Sequence, residues 1–162
     1  MSGIERTVVG IDPGMSGGIA AYGWNSQRLI AYSRMPTWKI GPKTHVRARD
    51  VHDFLQTVGA DVVVIEQVHA MPRQGVTSTF TFGQAFGAVC AAADIWGCAV
   101  EFVTPAVWKQ QMQVTKDKRS SLDTASRLWP GAVDWSVKAN DGVAEAALIA
   151  RWYTIRNGVV PT

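Results

Sequence analysis

Cysteine is scarce. The 162 residues hold two, Cys90 and Cys98, too few for a disulfide scaffold. They also lack the spacing and histidine partners of a zinc site. Both are expected to be buried free thiols in a reducing compartment. Charge is sparse as well, at 18% of residues against 47% hydrophobic, which excludes a charge-extended disordered chain. No apolar stretch is long and uniform enough to span a membrane. The apolar run at the N-terminus is short and lacks a basic flank and a cleavage site, so no secretory segment and a cytoplasmic location are expected. There is no internal repeat, low-complexity segment or composition break, so one domain over residues 1–162 is expected.

Tryptophan, by contrast, is plentiful. Seven indoles are available to fill a core, an interface or a base-stacking platform. The net charge of +3 and pI of about 9.1 lean toward a polyanionic partner.

The most informative stretch is Val8-Val9-Gly10-Ile11-Asp12-Pro13-Gly14. Its apolar residues fall on both faces of a strand, as in a central, fully buried one. Strand Arg6–Asp12 is followed by a glycine-rich turn and by strands Ile19–Gly23 and Arg28–Met35. The short connections predict an antiparallel meander. Pro36–Thr44 reads as a basic loop holding Trp38, Lys39 and Lys43. From His45 the spacing of Val46, Val51, Phe54, Leu55 and Val58 predicts an amphipathic helix closed by Gly59. Val62–Ile65 is a second strand apolar on both faces, ending in Glu66, and a crossover helix before it predicts parallel pairing with the first. Loop Gln67–Thr77 leads to a long helix, Ser78–Trp96, with Phe80, Gly83, Phe86, Gly87, Cys90 and Ala91 expected against the sheet. A fifth strand, Ala99–Val103, precedes Thr104-Pro105, a helix start with Thr as cap and Pro at the first helical position. Helices then follow at Val107–Met112, Asp117–Trp129 and Ala139–Arg156. Val143, Ala146, Ala147, Ile149 and Ala150 give the last one an apolar side, and the tail after Asn157 is expected to fray. This order predicts a ribonuclease H-like α/β fold. Its mixed sheet has five strands, three antiparallel and then two parallel, with helices on both faces.

Three carboxylates stand out by position. Asp12 ends the first strand, Glu66 ends its expected parallel neighbour, and Asp141 lies in the first turn of the last helix. Asp12 before Pro-Gly also suits a turn, and Asp141 also suits a helix N-terminus. If the last helix crosses near the strand ends, the three converge. Clustered carboxylates repel one another unless a cation neutralises them, and such oxygens prefer Mg²⁺ or Mn²⁺. Two such ions about 4 Å apart can drive phosphodiester hydrolysis. Glu145, one turn after Asp141, either completes the metal site or pairs with Lys138 or Arg151. Lys109, Lys116, Lys118 and Arg119 cluster after the fifth strand and suit phosphate contacts. Arg73, Arg47, Arg49, Lys39 and Lys43 extend that basic set.

Gly10–Gly14, Ile65-Glu66-Gln67-Val68, Phe82–Gly87 and Asn140–Ala146 together resemble the RuvC Holliday-junction resolvases. The stretch His69–Ser78 is similar to their bacteriophage-type branch. The resemblance runs from about Val8 to Ala150. It implies a homodimeric, Mg²⁺-dependent endonuclease, with Mn²⁺ able to substitute, acting in a bacterial or phage-infected cytoplasm. Such an enzyme nicks four-way DNA junctions symmetrically and leaves 5′-phosphate and 3′-hydroxyl ends. On this resemblance Asp12, Glu66 and Asp141 are the metal-binding and catalytic carboxylates for two ions, with Lys109 and Lys118 near the scissile phosphate. His69, Arg73, Lys116 and Arg119 are further DNA contacts. Phe80, Phe82, Phe86 and Val89 of the long helix are the expected dimer contacts.

The sequence departs from the cellular enzymes at Lys138, where they carry an acid or histidine, and Glu145 is the expected substitute. It departs again at His69, where they carry an aromatic; Met71, Phe80 or Trp38 are alternatives for that role. A phosphate-loop ATPase is set aside because that class needs two duplicated domains, so no nucleotide cofactor is expected. A broader nuclease of forks, flaps and three-way junctions stays open, as does a non-catalytic junction binder.

Overall fold

Val8, Val9 and Ile11 are all fully buried in the computed structural model, which describes residues 3–158. Strands β1 (Thr7–Asp12), β2 (Gly18–Gly23) and β3 (Leu29–Arg34) form the antiparallel meander. A hairpin of β4 (Thr37–Ile40) and β5 (Lys43–Val46) precedes helix α1 (Ala48–Val58). Strand β6 (Val62–Glu66), helix α2 (Val76–Trp96) and strand β7 (Ala99–Val103) follow. The chain ends in α3 (Pro105–Gln111), α4 (Lys118–Leu128), a 3₁₀ turn at Lys138–Asn140, and α5 (Asp141–Arg156). The main sheet has the order β3-β2-β1-β6-β7, with β6 parallel to both β1 and β7. This is the ribonuclease H-like arrangement expected from the sequence.

Strand periodicity divides the core. Val8, Val62 and Val64 face α5 along with Ala20 and Tyr22, and α3 and α4 close that side. Val9, Ile11, Val63 and Ile65 face the opposite way, under α1 and α2. Because side chains alternate, Asp12 and Glu66 share the α5 side with Val8 and Val62. The register pairs Ile11 with Ile65, so the two carboxylates stand one step beyond, on neighbouring strands.

Helix α5 is buried at every position from Asp141 to Ala150, not along one apolar side only. It docks directly on backbone. A Cβ on Gly10 would lie 2.0 Å from the Ala146 carbonyl oxygen, and one on Gly142 would lie 2.4 Å from the Gly17 carbonyl carbon. Glycine and alanine at these crossings bring helix and sheet close enough to fix the side chains around them.

Four local expectations are corrected. Pro36–Thr44 is not a loop: it is mostly hairpin, turned by Gly41 at φ +60 followed by Pro42, a positive-then-negative pair that suits a two-residue connection. Val46 is therefore a buried strand residue, and α1 begins only at Ala48, past Arg47. The last helix opens with a 3₁₀ turn, so α5 proper starts at Asp141. Thr104 occupies the N-cap of α3 without a side-chain bond; Pro105 supplies the start.

Helix α2 meets the sheet mainly through Ala85, Val89, Ala92 and Ala93; of the expected face Phe86 and Cys90 pack against this core, while Phe80, Gly83, Gly87 and Ala91 are exposed. The two cysteines are free but half-buried, and burial raises both thiol pKa values. Among the described residues no helix is long and apolar enough to cross a membrane. The tail expected to fray includes 159–162, outside the described residues.

Candidate active site

The backbone brings together Asp12, Glu66 and Glu145, whose nearest carboxylate oxygens all lie within 4.8 Å of one another. Each is set by a rigid element: the end of β1, the end of β6 and the second turn of α5. Asp141, expected as the third member, lies one turn earlier and outside this tight group. Its Oδ2 is 3.0 Å from Lys118 Nζ, and it faces an adjoining cleft with Arg34 and Lys138. Glu145, which the sequence left between a ligand and an ion-pair partner, is in the cluster and also accepts a bond from Lys109 Nζ at 2.8 Å.

The electrostatics suit a bound cation. Burial, then Glu145 and then Glu66, push the Asp12 carboxyl up to about 7, against the opposing pull of the Gly14 N–H and Lys118. Burial also raises Glu66, while Trp108 Nε1–H donates to its Oε2 at 2.6 Å and partly offsets that rise by favouring the charged form. Four carboxylates are balanced by two lysines, Lys109 and Lys118, and the hydrogen bond to Asp141 holds Lys118 above its usual pKa. Carboxylates this close are stable together only when a proton or cation intervenes. Their hard oxygen set fits Mg²⁺ or Mn²⁺ better than a soft metal.

Supporting contacts extend inward. Trp108, fully buried on α3, orients Glu66. Ser121 Oγ reaches Glu145 Oε1 at 3.5 Å. Asn140 accepts from Arg34 Nε at 2.9 Å and donates to the Asp134 carbonyl at 2.9 Å, pinning the turn that presents Asp141. The Asp117 carboxylate accepts from the Arg119 N–H at 2.9 Å, capping α4 and aiming Lys118 at the cleft. Neither Trp108 nor Ser121 was singled out from sequence, and Asn140 entered only as the first residue of the motif Asn140–Ala146. A buried tryptophan beside Lys109 is the only local signal, and a tryptophan alone reads as core.

The other candidate residues spread around this centre. Glu66 and Asp12 open onto a cleft bordered by Gln74, Ser78, Thr81 and Phe82. His69 and Arg73 are exposed on the loop between β6 and α2, and Lys116 and Arg119 are exposed just before and at the start of α4. Arg73 takes a left-handed conformation, φ +71. Of the four expected dimer contacts, Phe80 is 66% exposed, while Phe82 and Phe86 are half-buried. Phe86 stacks on Phe102, with ring centroids 5.9 Å apart. Val89 is fully buried against the sheet, so it has no surface for a partner.

Fold and cluster together define the class: a ribonuclease H-like domain with acidic residues at the carboxyl ends of two central parallel strands. No family model matches the chain, and no curated protein matches it in sequence. Solved structures do. Thermus thermophilus RuvC in complex with a Holliday junction substrate matches with a TM-score of 0.66 at 23% identity, covering 94% of this chain and 96% of that one. Thermus thermophilus RuvC alone matches at 0.60 and 20% identity, over 94% and 97%. The yeast mitochondrial Holliday junction resolvase Ydc2 matches at 0.58 and 15%, over 94% of this chain and 80% of that one. At these identities the likeness establishes the fold.

Proposed function

We propose that this chain is a Mg²⁺-dependent, structure-specific endodeoxyribonuclease that resolves four-way DNA junctions. The observation that carries the reading is the buried Asp12–Glu66–Glu145 cluster flanked by Lys109 and Lys118. The likeness to RuvC bound to a junction substrate supports branched DNA as the partner. The stretch His69–Ser78, a loop running into the first turn of α2, is what supports a bacteriophage-type branch.

Asp12, Glu66 and Glu145, with Asp141 alongside, are the residues that would hold two divalent ions. Such ions, when bound, activate a water and stabilise a leaving oxygen. The reaction is hydrolysis: water adds to the scissile phosphorus, the bond to the 3′-oxygen breaks, and that oxygen takes up a proton. The products are a 5′-phosphate and a 3′-hydroxyl. Trp108 and Ser121 keep Glu66 and Glu145 oriented. Lys109 and Lys118 offset the buried charge and supply positive potential for the crowded phosphate. Arg73, Lys116, Arg119 and His69 meet backbone phosphates around the cleft, which sets affinity rather than sequence choice. Two copies, joined through the exposed side of α2 with Phe80 foremost, would cut strands of like polarity symmetrically.

The test is digestion of four-way, three-way, fork and flap substrates side by side, with and without Mg²⁺. Paired symmetric nicks confined to the four-way substrate are expected. Equal cutting of all four would replace this reading with a broader branched-DNA nuclease. A folded protein that cuts none of them with Mg²⁺ or Mn²⁺ would overturn it.

A further inference from the structure

The carboxylate centre and the cleft beside it carry opposite charge. On one side Asp12, Glu66 and Glu145 meet, and Lys109 is bonded to the last of them. On the other, a cleft is lined by Arg34, Lys118 and Lys138, and among the described residues Asp141 is its one carboxylate. That carboxylate is already matched, since Lys118 Nζ lies 3.0 Å from its Oδ2. Among the described residues neither Arg34 nor Lys138 enters an ion pair. Asp134, one turn before Lys138 in sequence, is occupied within its own loop, where its Oδ1 accepts from the Ser136 N–H and hydroxyl.

The cations come from separate elements that are tied together. Arg34 is the last residue of β3, and Lys138 opens the 3₁₀ turn before α5. Buried Asn140 joins the two: its Oδ1 accepts from Arg34 Nε at 2.9 Å, and its N–H donates to the Val137 carbonyl at 2.9 Å. The bond to Asn140 uses Arg34 Nε–H alone, and the two terminal nitrogens of a guanidinium are further donors. The cleft also meets the N-terminal end of α5 at Asp141, and the dipole of that sixteen-residue helix adds positive potential. Ser16, exposed on the glycine-rich turn, supplies a hydroxyl to the same lining.

We propose that the Arg34–Lys118–Lys138 cleft is a phosphate subsite, which holds a backbone phosphate of the cut strand next to the one at the carboxylates. A second metal ion is a poor occupant, because three cations surround the one carboxylate. A base is a poor occupant too, because among the described residues no aromatic ring lines the cleft. A phosphate meets unmatched charge and hydrogen-bond donors. Along a strand phosphates recur about every 3.4 Å of helix axis, so the neighbours of a reacting phosphate must find positive charge close by. Lys118 lines both clefts and marks how near the two sites lie. This inference rests on the nuclease reading and deepens it: the subsite would fix which way the strand runs past the cluster, with Lys138 and Arg34 as positioning residues.

The experiment uses the full chain without metal and four-way junctions in which single phosphates around the cut are replaced by neutral methylphosphonates. For wild type, one substitution beside the scissile position is expected to weaken binding by about 3- to 10-fold. Lys138→Ala is expected to lose a similar factor on the unmodified junction and to be insensitive to that one substitution. Its log–log salt slope should fall by about 1. Lys138→Arg is expected to keep the wild-type pattern, and Lys138→Glu to bind more weakly than the alanine variant. Thermal melting confirms that each variant is folded. If Lys138→Ala and Lys138→Glu bind as tightly as wild type, or lose affinity without becoming insensitive at any one phosphate, while wild type binds and nicks the junction, the subsite is overturned and the nuclease reading stands. If wild type neither binds nor nicks branched DNA, both fall together.

Discussion

Helices α5 and α2 are built from similar material and do opposite things. Both are rich in alanine and glycine, and both lie on the central sheet, on opposite faces. Helix α5 is enclosed by the sheet, α3 and α4, and ten consecutive residues, Asp141–Ala150, are buried. Helix α2 is outermost; only Ala85, Val89, Ala92 and Ala93 are buried, and Val76, Phe80 and Ile95 are exposed. In α5 the small residues let backbone meet backbone. In α2, Gly83 and Gly87 have nothing within 4 Å of where a Cβ would stand. The enclosed helix carries Glu145 of the cluster and Asp141 beside it. The one with an exposed surface borders the cleft with uncharged side chains. Close packing is placed where the carboxylates must be held to within a fraction of an ångström.

The largest expected effect tests whether charge on α5 and polarity on α2 differ as sharply as their packing does. Glu145→Gln removes a member of the 4.8 Å cluster and is expected to lower the rate of junction nicking by about 10³-fold or more. Asp141→Asn, already engaged by Lys118, is expected to cost about 10- to 100-fold. Thr81→Ala lines the same cleft from α2 and is expected to stay within about threefold. Single-turnover nicking measures all three. A threonine variant as damaged as the glutamine variant would show that α2 contributes chemistry and would break the contrast.

Next comes packing. Gly10→Ala puts a methyl 2.0 Å from the Ala146 carbonyl oxygen and 2.8 Å from the Ala150 nitrogen, both backbone atoms. Neither can swing aside, so the sheet and α5 must separate, at an expected cost of about 3 kcal/mol or more. Gly87→Ala in α2 meets open space and is expected to stabilise the isolated chain by about 0.5–1 kcal/mol through helix propensity. Urea denaturation separates the two. The same Gly87 variant would weaken a homodimer that needs a bare helix face, which sedimentation would detect.

The sequence made β1 and β6 legible because both are continuous apolar runs stopped by a carboxylate. That pattern has few structural explanations outside a central parallel pair. The strand order followed from short connections and one crossover helix. The hairpin was illegible for the opposite reason. Its four-residue strands are mostly exposed, so no apolar alternation marks them, and Val46 happens to fall five residues before Val51, mimicking a helix. Asp141 was expected in the site and Glu145 was left between ligand and ion-pair partner, since residues four apart share a helix face. Where α5 lands brings the second of them close: with Gly142 against Gly17 and Ala146 against Gly10, Glu145 lies beside Asp12 and Glu66. The inner face of α2 was read only in part: Phe86 packs against the core as expected, but alanines fill most of that face and Phe80 is left outside.

The smallest expected effect concerns stability without metal, and it asks whether the enclosed side of the sheet is held under electrostatic strain that the α2 side lacks. Asp12 is pushed from 3.8 up to about 7. A carboxyl with a raised folded-state pKa opposes folding only once it is ionised. The penalty is absent below about pH 3.8, builds between there and about 7, and is complete above 7. Asp12→Asn removes it, so the variant is expected to be more stable than wild type at pH 8 by roughly 1–2 kcal/mol. The difference should shrink as the pH falls toward 4.5. Adding Mg²⁺ at pH 8 is expected to raise the wild-type melting temperature and to move the asparagine variant much less, because bound cations relieve the same repulsion. Melting curves for both proteins across pH, with and without Mg²⁺, check the sign directly. Wild type gaining stability relative to the variant as the pH rises would mean that Lys118 and Lys109 already satisfy Asp12, Glu66 and Glu145. The cluster would then be a closed ion-pair network, with α5 no more strained than α2.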